Sequence, residues 1–369
     1  MKLRDIAKPW VGSLETYQPG KPIEEVAREL GLGDPLSIVK LASNENALGP
    51  SPRALEAMRL AAERMHLYPD GDSYYLREAI AKKFGVSRNE VFIGHGSNEI
   101  LALLGHAFLE PGVSAVMSEK AFIIYKLVAA LYQAEAIETP ARNLGHDLDA
   151  MLAAIRPDTR LVFIANPNNP TGTFVEPAAL DRFLERLPAH VAAVVDEAYL
   201  ELLPPRLQPD SIRHVRTGRN VFVLRTFSKA HGLAGLRIGY AIAPPDGIDL
   251  LNRVRQPFNV NAMAQAAALA ALDDEDHIRR TREMVQEGLD QLCQGLAEMG
   301  FEYVPSAANF LLVKVGNGRR YFEALLRQRV IVRPVDGYGL PDYIRVSVGT
   351  RDENERFLDA LAAVRNLPA

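Results

Sequence analysis

Four short segments of the 369-residue chain carry side chains able to bind an anion, hold a proton or attack a carbonyl, and each follows an apolar run. Val91-Phe92-Ile93 leads into Gly94-His95-Gly96-Ser97-Asn98-Glu99, where glycine-permitted backbone at a helix start offers free N–H groups and a positive dipole end to a phosphate. Leu161 to Ala165 leads into Asn166-Pro167-Asn168-Asn169-Pro170-Thr171-Gly172, a stiff loop able to hold an Asn amide in one orientation. Val191 to Val195 leads into Asp196-Glu197-Ala198-Tyr199, and a carboxylate at the end of a buried strand is costly unless a cation or hydrogen-bond donors meet it. Val221 to Leu224 leads into a stretch from Arg225 to Arg237 that holds Thr226, Ser228, Lys229 and two glycines, Gly232 and Gly235.

Each segment alone is an ordinary turn, helix cap or solvated lysine. Placed at successive strand ends they suit one ligand: an aldehyde for Lys229, a phosphate for Ser97, Asn98, Ser228 and Arg237, a pyridinium for Asp196, and a phenolic oxygen for Asn169 and Tyr199. A lysine held in such a cleft loses its proton and forms a Schiff base. Pyridoxal 5′-phosphate has all four groups.

The elements that must position these residues follow from the patterning. In open α/β sheets ligands sit beyond the carboxyl ends of the strands. Residues 1–44 read as an N-terminal arm and the start of a small domain, with one helical stretch from Ile23 to Leu30. Ser51 is a good helix N-cap and Pro52 a good first helical residue. A second helix is expected from Ser73 to Phe84, stopped by Gly85, and another from Ile100. Short apolar runs at Val91–Ile93, Val113–Met117, Leu161–Ala165, Val191–Val195, Val221–Leu224 and Ile238–Ile242 lack polar alternation, as strands buried on both faces do. This predicts an α/β fold: a large domain over 45–247 with a mostly parallel sheet sandwiched by helices, and a smaller α+β C-terminal domain over 248–369. The small domain is expected to open with long helical patterns over 249–299. Strand candidates Phe310–Val315, Val330–Arg333 and Tyr343–Val348 then alternate with helices near 319–329 and 352–366.

Composition sets the remaining bounds. Lys plus Arg total 42 against 46 for Asp plus Glu, a formal net charge of −4, which argues against a nucleic-acid partner. One cysteine, Cys293, leaves no disulfide framework or multi-cysteine metal site, and no metal is expected. The charged N-terminus does not read as a secretory signal, and no uncharged run is long enough for a membrane span, so a cytoplasmic protein is expected.

The order Asn-Pro-x-Asn-Pro-Thr-Gly, Asp-Glu-Ala-Tyr, Ser-Lys-x-x-x-x-x-Gly-Leu-Arg resembles the fold-type I pyridoxal-phosphate aminotransferases. Within them the chain is most similar to the histidinol-phosphate aminotransferases, on Tyr17-Gln18-Pro19-Gly20, Leu41-Ala42-Ser43-Asn44-Glu45-Asn46, Tyr68-Pro69-Asp70-Gly71, Val332-Arg333-Pro334 and Tyr343 through Thr350. The resemblance implies that Lys229 holds the cofactor and moves the substrate proton, that Asp196 keeps the ring nitrogen protonated, and that Tyr199 and Asn169 bond the phenolic oxygen. It implies a stacking role for Phe122, a phosphate cup of Ser97, Asn98, Thr226, Ser228 and Arg237, and Tyr68 reaching in from a second subunit of a homodimer. Arg345, with Arg333 nearby, would clamp the substrate's anion, and Tyr17 and Asn44 would line the same pocket. The implied reaction transaminates histidinol phosphate with 2-oxoglutarate by a ping-pong route. Phe122 replaces the tyrosine common in relatives, and Ser118-Glu119-Lys120-Ala121 departs from their Pro-Thr. His66, His95 and His231 are read as structural.

The same pocket can take an aromatic ring and a carboxylate, so an aromatic amino acid aminotransferase is a rival. A threonine-phosphate decarboxylase shares the cofactor machinery and a phosphate clamp. A cofactor-binding regulator without turnover is the reading from another class; such regulators resemble this fold fused to a basic DNA-binding module, and no such module or basic patch is expected here.

Overall fold

The structure, a computed structural model, describes residues 2–14, 16, 22–31 and 34–365. Its centre is a seven-stranded sheet in the order Val91–Gly94, Gly239–Ile242, Val221–Thr226, Ala192–Asp196, Thr159–Ala165, Ser114–Ser118, Glu135–Thr139. All neighbours pair in parallel except Gly239–Ile242, which runs antiparallel to both of its own. That reversal brings the start of the strand, and Arg237 before it, to the edge where the parallel strands end.

The apolar runs lack polar alternation because both faces are buried, yet the two-residue period still sorts them. Val162, Ile164, Ala193 and Val195 enter one core with the helices Pro52–Ala62, Tyr74–Phe84, Pro177–Arg186 and Ala262–Ala271. Leu161, Phe163, Ala165, Ala192 and Val194 enter the other, with the helices Ser97–Phe108, Ile124–Leu131 and Pro245–Val254. Each fully buried Val, Leu, Ile or Phe contributes about 1.5–3 kcal/mol, so these two layers hold the strand ends in place. Local signals agree: Ser51 Oγ accepts from Ala54 N at 3.1 Å with Pro52 opening the helix, and Gly85 closes the next helix at φ 61°.

The smaller unit is a four-stranded antiparallel sheet in the order Arg333–Pro334, Tyr343–Ser347, Phe310–Lys314, Glu302–Val304. Glu275–Glu298, Gly318–Arg327 and Arg351–Val364 are its helices. Val39–Lys40 pairs in parallel with Val330–Ile331, and Ser347 N donates to Leu41 O at 2.9 Å. The segment after Lys40 is thereby led from the small unit to the large one.

The α/β architecture with its smaller partner unit is as expected; the differences include the strands Val39–Lys40 and Glu302–Val304, which no apolar run announced. Residues 248–272 pack on the large sheet, because Ile248, Leu251, Val260, Ala264, Ala267 and Ala268 complete its two cores; only from Glu275 does the chain join the smaller unit. The strand Glu135–Thr139 was not expected, since an edge strand carries exposed charges such as Glu135 and Glu138 in place of an apolar run. The candidate Val330–Arg333 divides between two sheets. The helix expected from Ile100 starts at Ser97. No helix among the described residues is long and apolar enough to cross a membrane.

Candidate active site

The carboxyl edge of the large sheet and the small unit enclose a cleft with about 940 Å³ of empty space, part of it open to solvent. Small-molecule sites occupy roughly 300–1,000 Å³. Its walls include Asn44, Ser97, Asn98, Phe122, Asn169, Asp196, Tyr199, Thr226, Ser228, Lys229, Arg237, Arg333 and Arg345. These are the residues named from sequence, with two exceptions. Tyr68 is 83% exposed, stacked on Phe258 at 4.8 Å and off this cleft. Tyr17 lies outside the described residues.

At one end, the helix Ser97–Phe108 points its N-terminus into the cleft. Gly96, at φ 74°, precedes it, and a Cβ there would stand 2.8 Å from Arg237 Nη2. Only glycine lets the guanidinium lie against this turn. Arg237 Nη1 donates to Ala234 O at 3.0 Å and to Ser228 Oγ at 3.5 Å. Helix amides, hydroxyls and a guanidinium on one wall form an anion cup.

In the floor, Lys229 Nζ donates to the carbonyls of Ser43 at 3.0 Å and Asn44 at 3.2 Å. Burial, with Arg345 and Arg237 adding repulsion against an opposing Glu45, pushes its pKa down to about 7. Asp196 extends the face of Ala192 and Val194; its Oδ2 accepts from Tyr125 Oη at 2.9 Å, while Oδ1 is buried without a hydrogen-bond partner. Burial raises this carboxyl to about 6, with the Tyr125 hydroxyl and the Ala198 amide opposing. Tyr199 Oη accepts from Asn44 Nδ2 at 2.9 Å, and burial lifts this phenol to about 12 against the pull of Arg345. Asn44 is fixed in turn: Ser347 Oγ donates to its Oδ1 at 3.0 Å, and Asn309 Nδ2 donates to its carbonyl at 3.1 Å.

At the other end, Arg345 is 6% exposed, donates from Nη2 to Ala42 O at 2.8 Å and from Nη1 to Asn169 Oδ1, and lies over the Phe310 ring. Arg333 stands opposite it in the strand register. Phe122 is half-buried in the wall, edge-on to Tyr125. Its unusual neighbour Lys120 reaches the small unit, with Nζ 3.3 Å from Gly339 O. The three histidines read as structural lie off the cleft; His231 is buried and pushed down to about 3, hence neutral.

Sequence reasoning missed Tyr125 and Tyr338 in the wall and the hold of Ser347 and Asn309 on Asn44. Tyr125 follows Phe122 by three residues, a helical spacing that could have flagged it. The others come from the small unit, far away in sequence.

The donor set fits pyridoxal 5′-phosphate: an anion cup at a helix start, a depressed lysine amine between cup and clamp, and a buried carboxylate oxygen awaiting a donor. Comparison with known proteins agrees. The family model "Aminotransferase class I and II" matches residues 37–361. Among similar curated proteins, histidinol-phosphate aminotransferase 2 of Nitrosospira multiformis is 50% identical over 98% of this chain and 92% of its own. The histidinol-phosphate aminotransferase of Akkermansia muciniphila is 50% identical over 99% of this chain and 100% of its own. The crystal structure of histidinol-phosphate aminotransferase from Sinorhizobium meliloti, in complex with pyridoxal-5′-phosphate, superposes with a TM-score of 0.88 at 29% identity, covering 97% of both chains. By sequence over nearly its full length, the chain belongs to the class I and II aminotransferases and, within them, to the histidinol-phosphate aminotransferase family.

Proposed function

We propose that this protein transfers the amino group of histidinol phosphate to 2-oxoglutarate in two alternating half-reactions, as a cytoplasmic homodimer that carries pyridoxal 5′-phosphate. The observation that carries this reading is a single nucleophilic amine, Lys229, set between two separate cationic ends, Arg237 with the Ser97 helix and Arg345 with Arg333. One end suits the cofactor's phosphate. The other suits the phosphate or carboxylate of a substrate.

When bound, pyridoxal phosphate supplies an aldehyde that takes up amines and a ring that accepts an electron pair. Ser97, Asn98, Thr226, Ser228 and Arg237 would hold its phosphate, and Phe122 would cover one ring face. Asp196 Oδ1 would receive the ring N–H, which matches its buried, unpartnered state. Asn169 and Tyr199 would bond the phenolic oxygen. Lys229 Nζ, neutral in part near pH 7, is suited to attack the aldehyde and afterwards to carry the proton taken from the substrate carbon. Arg345 and Arg333 would orient the substrate's anion, with Asn44 beside them.

Tyr68, exposed in this chain, fits the same reading: a second copy covering this face would present it to the neighbouring cup. The exposed Leu55, Leu60, Met65, Leu67 and Tyr75 nearby in sequence are the apolar surface such a copy would cover. The lone thiol Cys293 supports a reducing location.

The test is a comparison of single-turnover rates of the cofactor-loaded enzyme with histidinol phosphate, phenylalanine and threonine phosphate. Histidinol phosphate is expected to be fastest. A preference for phenylalanine of about tenfold or more, within the 1–3 kcal/mol one wall residue commands, would assign the enzyme to aromatic amino acids. Release of carbon dioxide from threonine phosphate would assign it as a decarboxylase.

A further inference from the structure

Asp196 has a partner that the proposed chemistry does not use. Tyr125, on the helix Ile124–Leu131, is completely buried, and its hydroxyl donates to Asp196 Oδ2 at 2.9 Å. The ring is clamped: Phe163 stacks on it at 4.8 Å and 8° between planes, and Phe122 meets it edge-on at 5.7 Å. The sheet explains this placement. Ala165 and Asp196 are register partners, and Phe163, two residues earlier, lies on the same face as Ala165. A side chain descending from the helix over Phe163 therefore ends at the Asp196 carboxylate. No other hydroxyl is bonded to that carboxylate among the described residues.

The chemical consequence concerns a shared proton. A carboxylate in a dry site facing a ring nitrogen can hold the proton between them in either of two ways: on nitrogen, as an ion pair, or on oxygen, as a neutral pair. The poorer base loses it. Burial strengthens Asp196 as a base, and Glu197 beside it adds to this, whereas Lys229 works against it. Tyr199 and Tyr338 also face Tyr125, and burial with the nearby Asp196 charge keeps the Tyr125 phenol protonated across the working range. A hydroxyl that cannot ionise is a permanent donor. A hydrogen bond to the charged form of a carboxylate favours that form.

We propose that Tyr125 is a positioning residue: by donating to Asp196 Oδ2 it keeps the carboxylate ionised and its Oδ1 turned to the cleft, so that the proton of the ring nitrogen stays on the ring. This rests on the reading that Asp196 meets the ring nitrogen of pyridoxal phosphate. No bond to Tyr125 forms or breaks, and the phenol keeps its own proton throughout. Tyr125→Phe leaves the stack on Phe163 intact but removes the donor. The carboxylate becomes the stronger base, the shared proton moves toward oxygen, and the ring becomes a weaker electron acceptor.

The experiment loads the whole enzyme with cofactor labelled with ¹⁵N in the ring and reads the nitrogen resonance. In the unaltered protein it is expected in the pyridinium range. In Tyr125→Phe it moves toward the neutral-pyridine range, and kcat falls about tenfold or more, the scale of one hydrogen bond to a charged group, with KM nearly unchanged. With 4-aminophenylalanine at position 125, a weaker donor of the same shape, the resonance falls between the two. This variant also serves if the phenylalanine protein does not fold. If Asp196→Asn moves the resonance while neither change at Tyr125 does, the proposal is overturned and Tyr125 only fills the core. If Asp196→Asn also leaves it in place, the assignment of Asp196 to the ring nitrogen falls and this proposal with it.

Discussion

Arg333 and Arg345 are direct partners across the antiparallel strands Arg333–Pro334 and Tyr343–Ser347, and both line the cleft. Like charges placed opposite one another destabilise a sheet. A fold that accepts this has a use for the charge, and an anionic substrate group is the natural counterpart. Arg345→Gln is therefore expected to lower kcat/KM for histidinol phosphate by about 10–100-fold, equal to the 1.5–3 kcal/mol of a charge-assisted hydrogen bond. Cofactor absorbance should be retained. Steady-state kinetics check this, and an unchanged kcat/KM would place the clamp elsewhere.

Lys229 titrates far below its ordinary value, at about 7 against 10.5. Between these values the folded protein binds fewer protons than the unfolded chain, so its contribution to stability rises with pH across that window. Without cofactor, Lys229→Met is expected to be the more stable protein at pH 6, where the wild type buries a cation. The difference should close by about pH 10. Urea unfolding of both proteins at several pH values measures it. The same variant should lose the visible absorbance of covalently held cofactor, together with turnover.

Asp196 shows the opposite sign. Its folded value of about 6 lies above the ordinary 3.8, so the folded state binds more protons between them. That contribution is present below pH 3.8 and lost as pH rises through 6. At pH 8 the cofactor-free protein therefore carries a buried, half-satisfied carboxylate. Asp196→Asn should stabilise it there by roughly 1–3 kcal/mol, while the loaded enzyme loses most of its rate. Equal denaturant midpoints at pH 8 would show that the carboxylate is not strained.

The strand ends were legible in the sequence because four buried runs are followed within about five residues by groups unsuited to a core: Gly96-Ser97, Asn169, Asp196 and Lys229. A buried strand that stops on a carboxylate or an ammonium signals a ligand, since burial without a partner is too costly. What stayed hidden depends on distance. Asn44 meets Tyr199 and Ser347 across 155 and 303 residues, and no local pattern encodes such a meeting. Tyr125 reads as one more apolar residue of an amphipathic helix until Phe163 and Asp196 are seen beneath it. The helices Pro245–Val254 and Ala262–Ala271 pack on the large sheet although the shift to long helical patterns reads as the start of the small domain: an amphipathic helix and an alanine-rich one suit either unit, and only packing decides between them.

Glu197 follows Asp196 but turns to the opposite side of the strand, where its Oε2 accepts from Arg225 Nε at 2.9 Å. Both side chains are buried, and Arg225 lies over the Phe84 ring. The carboxylate is pushed up by burial and held against this by Arg225. Breaking one side of such a pair strands the other charge, so Glu197→Met should cost about 3–5 kcal/mol of stability. Activity per folded molecule should change far less than on loss of Asp196, because neither residue lines the cleft and Glu197 bears on the Asp196 carboxylate only after burial, Tyr125 and the Ala198 amide. The double variant Glu197→Met with Arg225→Met removes both charges and should recover much of the loss, since desolvation and attraction nearly cancel in a buried pair. Denaturant unfolding of the four proteins closes the cycle. If the double variant is as unstable as the two single losses added together, the pair is not coupled and Glu197 acts through another contact.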